Sequence, residues 1–285
     1  MDIFMRFPGG RKKTVTFSYD DGTEQDIRFV DILKKHGLKG TFNLNSGQYA
    51  PEGTVHPADR IYRRMTKSQA TELFKDSGME VAVHGCTHPF LEQLPANLCL
   101  RDVMQDRENL EQQFETIICG MAYPYGTYND QVLECLKQAG ILYSRTVRNT
   151  HSFAMPSDWL IWDPTCHHAE PELMDLAKKF VEKPVGRDPW LFYVWGHTYE
   201  FDNRKNWNVI EEFADYVGNR EDIWYATNLE ICEYTEAYKK LVFSMDGHRV
   251  YNPTAFTIWL EQTYSSWVEG ENTVYCINPG EQINI

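Results

Sequence analysis

Two pairs of residues in this 285-residue chain have the types and spacing for hydrolytic chemistry. His84 and His88 enclose Gly-Cys-Thr, and two imidazoles four positions apart can face one point if the segment makes a single helical turn after a strand. Neutral imidazole is the commonest side-chain metal ligand. Asp20 and Asp21 precede Gly22, and a turn there can swing both carboxylates into one mouth, one to ligate a metal and the other to stay free as a base. Each pair alone suits an ordinary polar loop equally well, since Asp-Gly is common turn chemistry. Together, two imidazoles and one carboxylate make a three-ligand site with an open position. The set fits Zn²⁺ best and tolerates Co²⁺, Ni²⁺ or Fe²⁺. Such a metal acidifies water and polarises a carbonyl. Amide hydrolysis also needs an acid for the departing amine; His197, just past an aromatic strand, is the outstanding candidate, although a structural histidine would suit that place too.

These residues need a scaffold that gathers distant segments. Residues 14–19 read as a buried strand ending at the Asp20-Asp21-Gly22 turn. Residues 25–36 carry Ile27, Val30, Ile32 and Leu33 at helical spacing, with Gly37 as the stop. Strands follow at 40–44 and 80–83, the latter delivering His84, and Thr66 with Gln69 has capping-box spacing for a helix that stops at Gly78. Further helices are expected over 98–115, 129–138, 171–182, 207–217 and 229–240, and strands over 117–122, 142–147, 160–162 and 190–195. Alternation of this kind predicts parallel βα units. The polar residues of interest fall at strand C-terminal ends, where barrels of this type carry their active sites. Eight clean units are not visible, so the expectation is an incomplete or distorted α/β barrel over residues 1–240. From 241 to 285 short strands joined by turns predict a small β appendage, docked on the barrel because no Pro/Ser/Gly-rich linker precedes it.

Composition narrows the partners. The chain has 28 basic and 41 acidic residues, a formal net charge of -13, and no basic cluster beyond Arg11-Lys12-Lys13. Nucleic acid and anionic membrane surfaces are therefore not expected to bind. No stretch approaches a membrane-spanning length, and the first residues lack the apolar run of a signal peptide. Seven scattered cysteines without a C-x-x-C pair predict neither a disulfide framework nor a zinc knuckle, so a reducing cytoplasm is the expected setting. The 14% aromatic content suits both a core and the flat faces that sugars favour.

At this point the sequence resembles the polysaccharide deacetylases, carbohydrate esterase family 4, whose domain is also named for nodulation-factor deacetylase. The matching stretches are residues 16–22 (TFSYDDG), 84–88 (HGCTH), 123–126 (YPYG) and 195–197 (WGH), in the family's order, with 39–43 (KGTFN) similar to its second strand. The resemblance implies a distorted (β/α)7 barrel and a metal-dependent hydrolase that removes an acetyl group from an N-acetylated, less often O-acetylated, sugar or oligosaccharide. It also implies roles: Asp21, His84 and His88 as metal ligands, Asp20 as base, His197 as acid, and the Tyr125 backbone N–H as a donor to the oxyanion.

The chain departs from the family pattern in several places. Ala122 stands where the family has an Arg that pairs with the base, and Arg145, at the end of the following strand, is the proposed substitute. Gly85 replaces a Ser or Thr whose hydroxyl steadies the metal loop. The Asp-containing stretch that orients the acid histidine is not cleanly present; Asp163, His167 and His168 are candidates near that place, and a plain polar loop suits them as well. Trp195 occupies a position where the family prefers an aliphatic residue beside the acetyl group. Two other readings share the barrel: hydrolysis of cyclic ureides or imides, sometimes without metal, and non-catalytic carbohydrate binding. Retention of both aspartates and both histidines argues against each. Neither the exact substrate nor the oligomeric state is legible in the pattern.

Overall fold

The computed structural model describes residues 2–57, 59–263 and 272–285. After β1 (Asp2–Arg6), the chain enters the barrel at β2 (Lys13–Asp20), a strand buried at all eight positions because neighbours cover both its faces. The first βα unit continues with α1 (Gln25–Lys35) and β3 (Thr41–Leu44). Helix α2 (Lys67–Phe74) starts on a complete capping box between Thr66 and Gln69, and β4 (Glu80–Val83) follows. Helix α3 (Ala96–Phe114), β5 (Gly120–Ala122), α4 (Asp130–Gln138), β6 (Tyr143–Arg145), β7 (Cys166–His167), α5 (Leu173–Glu182) and β8 (Trp190–Gly196) complete the main circuit. Then come α6 (Tyr199–Arg204), α7 (Trp207–Val217), β9 (Ile223–Tyr225) and α8 (Asn228–Lys239).

The seven strands β2 to β8 form one parallel sheet in the order β6-β5-β4-β3-β2-β8-β7, and β9 joins it beside the first half of β2. The sheet curls until Trp162 makes an isolated parallel bridge to Arg145, across the gap between β6 and β7. This is the expected distorted (β/α)7 barrel. Residues 160–162, expected as a strand, instead enter a 3₁₀ turn at Trp159–Ile161, and only the one bridge survives. Asp158 caps that turn by accepting the Leu160 N–H, which commits the backbone to a turn before a ladder can start.

The C-terminal region holds β10 (Val242–Phe243), β11 (Arg249–Tyr251), β12 (Ile258–Thr263), β13 (Thr273–Ile277) and β14 (Gln282–Asn284) in two three-stranded antiparallel sheets. Residues 264–271 of the expected appendage lie outside the described residues. A division at residue 240 leaves β1 with the barrel, whereas the structure pairs it with β12 from Asp2 to Arg6. The pairing is fixed by buried Arg6, whose Nε donates to Glu261 at 2.5 Å. Met5, Phe7, Val250, Ile258, Leu260 and Ile277 share a core with Tyr234 and Ala237 of α8. No helix among the described residues is long and apolar enough to cross a membrane.

Candidate metal centre and active site

Parallel strands place their C-terminal ends on one rim, and each end delivers one piece of the site. Asp20 ends β2 and Asp21 follows it, His84 follows β4, Tyr125 lies just beyond β5, Arg145 closes β6, and His197 follows β8. Asp20, Asp21, His84, His88, Tyr125 and His197 line one cleft of ≈ 790 Å³, together with Tyr62, Arg64, Trp195 and Tyr199.

One ligand atom from each of Asp21, His84 and His88 lies within 4.8 Å of the others. Nδ1 of His84 is 2.8 Å from the Ala122 carbonyl, so it carries the proton there and turns an Nε2 lone pair to the cluster. Burial, the dominant effect, holds the His84 pKa down at about 4 and also lowers that of His88, so both imidazoles are in the neutral, ligating form near pH 7. Two neutral imidazoles, that of His84 fixed in a ligating tautomer, converge with a carboxylate and fit a divalent cation. The geometry strains the backbone: Asp21, His88 and Tyr125 adopt φ of 82°, 53° and 59°, a region that side-chain-bearing residues rarely enter.

Surrounding groups hold these ligands in place. Asn45 Nδ2 donates to the His84 and Gly85 carbonyls at 2.6 and 2.8 Å. Two carboxylates one turn apart on α3 hold the same loop. Asp106 accepts the His84 and Ser46 N–H groups, and Asp102 accepts the Thr87 hydroxyl and N–H. These contacts anchor the segment in which Gly85 offers no hydroxyl. Arg64 donates to the Asp21 carbonyl, to its Oδ1 at 3.1 Å, and to Asn45 Oδ1 at 2.7 Å.

Asp20 is the most constrained group. Its Oδ2 accepts Arg145 Nη2 at 2.5 Å, and its Oδ1 accepts Asn43 Nδ2 at 2.8 Å. Arg145 is itself fully buried, with Nε donating to Ser18 and its guanidinium 4.5 Å from the Trp195 ring centre. Burial alone would raise the Asp20 pKa; the Arg145 charge, helped by His84 and His197, overrides it and holds the carboxyl down at about 2. Oδ2 of Asp20 also lies 3.9 Å from Nε2 of both His84 and His197.

The orientation of His197 differs from expectation. Asp163 accepts from Thr146 and Arg148 rather than from His197. Glu200 does the orienting instead, with Oε1 2.9 Å from His197 Nδ1. His167 and His168 approach this same glutamate at 3.5 and 3.4 Å. The i,i+3 spacing of His197 and Glu200 at the opening of α6 is the signal in the sequence that points to this contact. Trp195 is pinned by its Nε1–H to Asn149 at 2.7 Å. Phe90 stacks on Tyr125 at 3.8 Å between ring centres, beside His88.

The chain is similar in sequence and fold to known deacetylases. Residues 8–144 match the family model described as polysaccharide deacetylase. A poly-beta-1,6-N-acetyl-D-glucosamine N-deacetylase of Staphylococcus aureus (strain MSSA476) is 28% identical over 150 residues, covering 48% of each chain. The chain thus spans about half the length of the curated relatives it matches. Two solved structures share the fold at 16% identity. A Mycobacterium smegmatis protein assigned as a polysaccharide deacetylase aligns over 82% of this chain and 93% of its own, with a TM-score of 0.54. The Xyl-CE4 domain of a multidomain xylanase from the hindgut metagenome of Trinervitermes trinervoides aligns over 79% and 92%, with a TM-score of 0.52.

Proposed function

We propose, because residues 8–144 match the polysaccharide deacetylase family model, that this chain is a metal-dependent hydrolase that removes an acetyl group from an N-acetylated sugar or oligosaccharide. The observation that carries the reading is the position of the Asp20 carboxylate. It lies outside the cluster of Asp21, His84 and His88 yet 3.9 Å from the nitrogens of both His84 and His197, so one oxygen serves the space between them.

Asp21, His84 and His88 would hold the cation, Zn²⁺ by donor set, which when bound supplies Lewis acidity to the acyl carbonyl and to water. Asp20, kept ionised by Arg145, takes the proton of the attacking water. The Tyr125 backbone N–H receives the oxyanion; it precedes the first donor of its own turn, Gly126 N–H to the Tyr123 carbonyl, and so is free of that bond. His197 carries its Nδ1 proton toward Glu200, which leaves Nε2 to hand a proton to the departing amine. Glu200 and the carboxylates Asp20 and Asp21 hold the His197 pKa above its ordinary value against the opposing effect of burial, favouring the proton-carrying form. Tyr62, Tyr125, Trp195 and Tyr199 give the cleft aromatic faces on which a sugar ring can stack.

The direct test is acetate release from a panel of N- and O-acetylated mono- and oligosaccharides, with and without chelator. Chelator-sensitive release from an N-acetylated sugar is expected, and none from any member would overturn the reading. A second prediction concerns the substituted arginine. Arg145→Met should lower kcat about 10–100-fold with bound metal unchanged. Without the guanidinium, burial dominates and the Asp20 pKa rises. Activity needs the carboxylate, so the acid limb of kcat/KM should move to higher pH. An unchanged kcat and limb would remove Arg145 from the machinery.

A further inference from the structure

Three imidazoles converge on one carboxylate behind the acid. Glu200 Oε1 lies 2.9 Å from His197 Nδ1 and 3.5 Å from His167 Nε2, while Oε2 lies 3.4 Å from His168 Nε2 and 3.5 Å from Arg204 Nη2. Ligand atoms of His167, His197 and Glu200 fall within 4.8 Å of one another, a spacing that would also suit a cation. The tautomer decides against a cation. Nδ1 of His167 accepts the Ala169 backbone N–H at 3.1 Å, so the neutral ring carries its proton on Nε2, toward Glu200, and keeps no lone pair there. The cluster is a set of donors around an anion.

His168 is its least exposed member. The ring is fully buried, stacked on Tyr19 and Phe201 with centres 5.6 and 4.1 Å away. It lies against Gly196, where a Cβ would come within 2.0 Å of His168 Nδ1. Any other residue at position 196 would expel the ring, so the glycine immediately before His197 is what admits it. Its two nitrogens and Glu200 Oε2 make no hydrogen bond of full geometry, so the 3.4 Å approach of Nε2 to Oε2 is the polar contact that offsets part of the cost of burying them. Burial holds the ring neutral, its pKa lowered to about 4.

We propose that His168, together with His167, is a positioning residue for the acid: the two rings hold the Glu200 carboxylate so that Oε1 engages His197 Nδ1 and Nε2 stays turned toward Asp20 and the substrate. The catalytic consequence rests on the deacetylase reading; the geometry does not. The adjacent histidines at the end of β7 thereby stand in for the acidic stretch that the sequence lacks.

The test uses the metal-loaded protein and four variants. His168→Phe keeps a ring and removes its nitrogens, His168→Gln restores an N–H, His167→Leu deletes the less buried donor, and His197→Gln identifies the Nδ1 proton by its loss from the ¹H spectrum. His168→Phe should shift that resonance and lower kcat about tenfold, with KM and bound metal unchanged. His168→Gln should recover most of the loss. His167→Leu, which serves should His168→Phe not fold, should shift the resonance and lower kcat severalfold. An unmoved resonance, a moved one with kcat intact, or a kcat loss accompanied by metal loss overturns the proposal. The resonance is read without substrate. A responding resonance in a protein that cleaves no acetylated sugar would therefore leave the network standing and remove the deacetylase reading.

Discussion

Asp20→Asn is expected to lower kcat by about 10²–10⁴-fold while the protein still binds its metal. The amide is nearly isosteric, retains an oxygen for Arg145 or Asn43, and belongs to none of the three converging ligands. What it loses is a lone pair basic enough to take a proton from water. With its pKa held down at about 2, this carboxylate is ionised near neutral pH, so its strength as a base comes from position rather than from basicity. KM should change little, because the substrate would be held by the aromatic walls and not by this carboxylate. A variant that retains wild-type kcat would transfer the base role to another group; among the described residues, Asp20 is the carboxylate that lies 3.9 Å from both His84 and His197.

The second large effect concerns the ligands. His88→Gln, or treatment of the unaltered protein with a chelator, should reduce acetate release by on the order of 10³-fold or more, since the Lewis acid supplies several kcal/mol of transition-state stabilisation. Re-addition of Zn²⁺ should restore the chelated protein but not the variant. His88 suits this test better than His84. It is partly exposed, whereas His84 is buried and tied to the Ala122 carbonyl, where a substitution would also disturb β5. Activity that survives both treatments would point to a metal-free reaction on the same barrel.

The fold was legible because strand ends and helix stops carry strong local signals. Asp20-Asp21-Gly22, His84 and the Pro124 turn each follow a short β-branched or apolar run, and the parallel sheet brings those ends to one rim. Arg145 was legible for the same reason: a strand end facing the mouth is one of few places from which a guanidinium can reach Asp20. Elements fixed by tertiary pairing were not. Strand β1 depends on a partner more than 250 positions away, and β9 is a three-residue strand held by β2. The strand expected over 160–162 did not form because one local cap converted an apolar run into a 3₁₀ turn. Glu200, Arg64, Asp102 and Asp106 escaped notice because charged residues on helices and loops read as solvated surface until the fold supplies what they face.

The central claim is that Asp21, His84 and His88 hold one metal ion beside Asp20. It is tested most directly by anomalous diffraction at the zinc edge from crystals grown with Zn²⁺. The account predicts a single strong peak about 2.0–2.2 Å from a carboxylate oxygen of Asp21 and from Nε2 of His84 and His88. A peak centred instead on His167, His197 and Glu200, or no peak in crystals of a protein that still releases acetate, would contradict it.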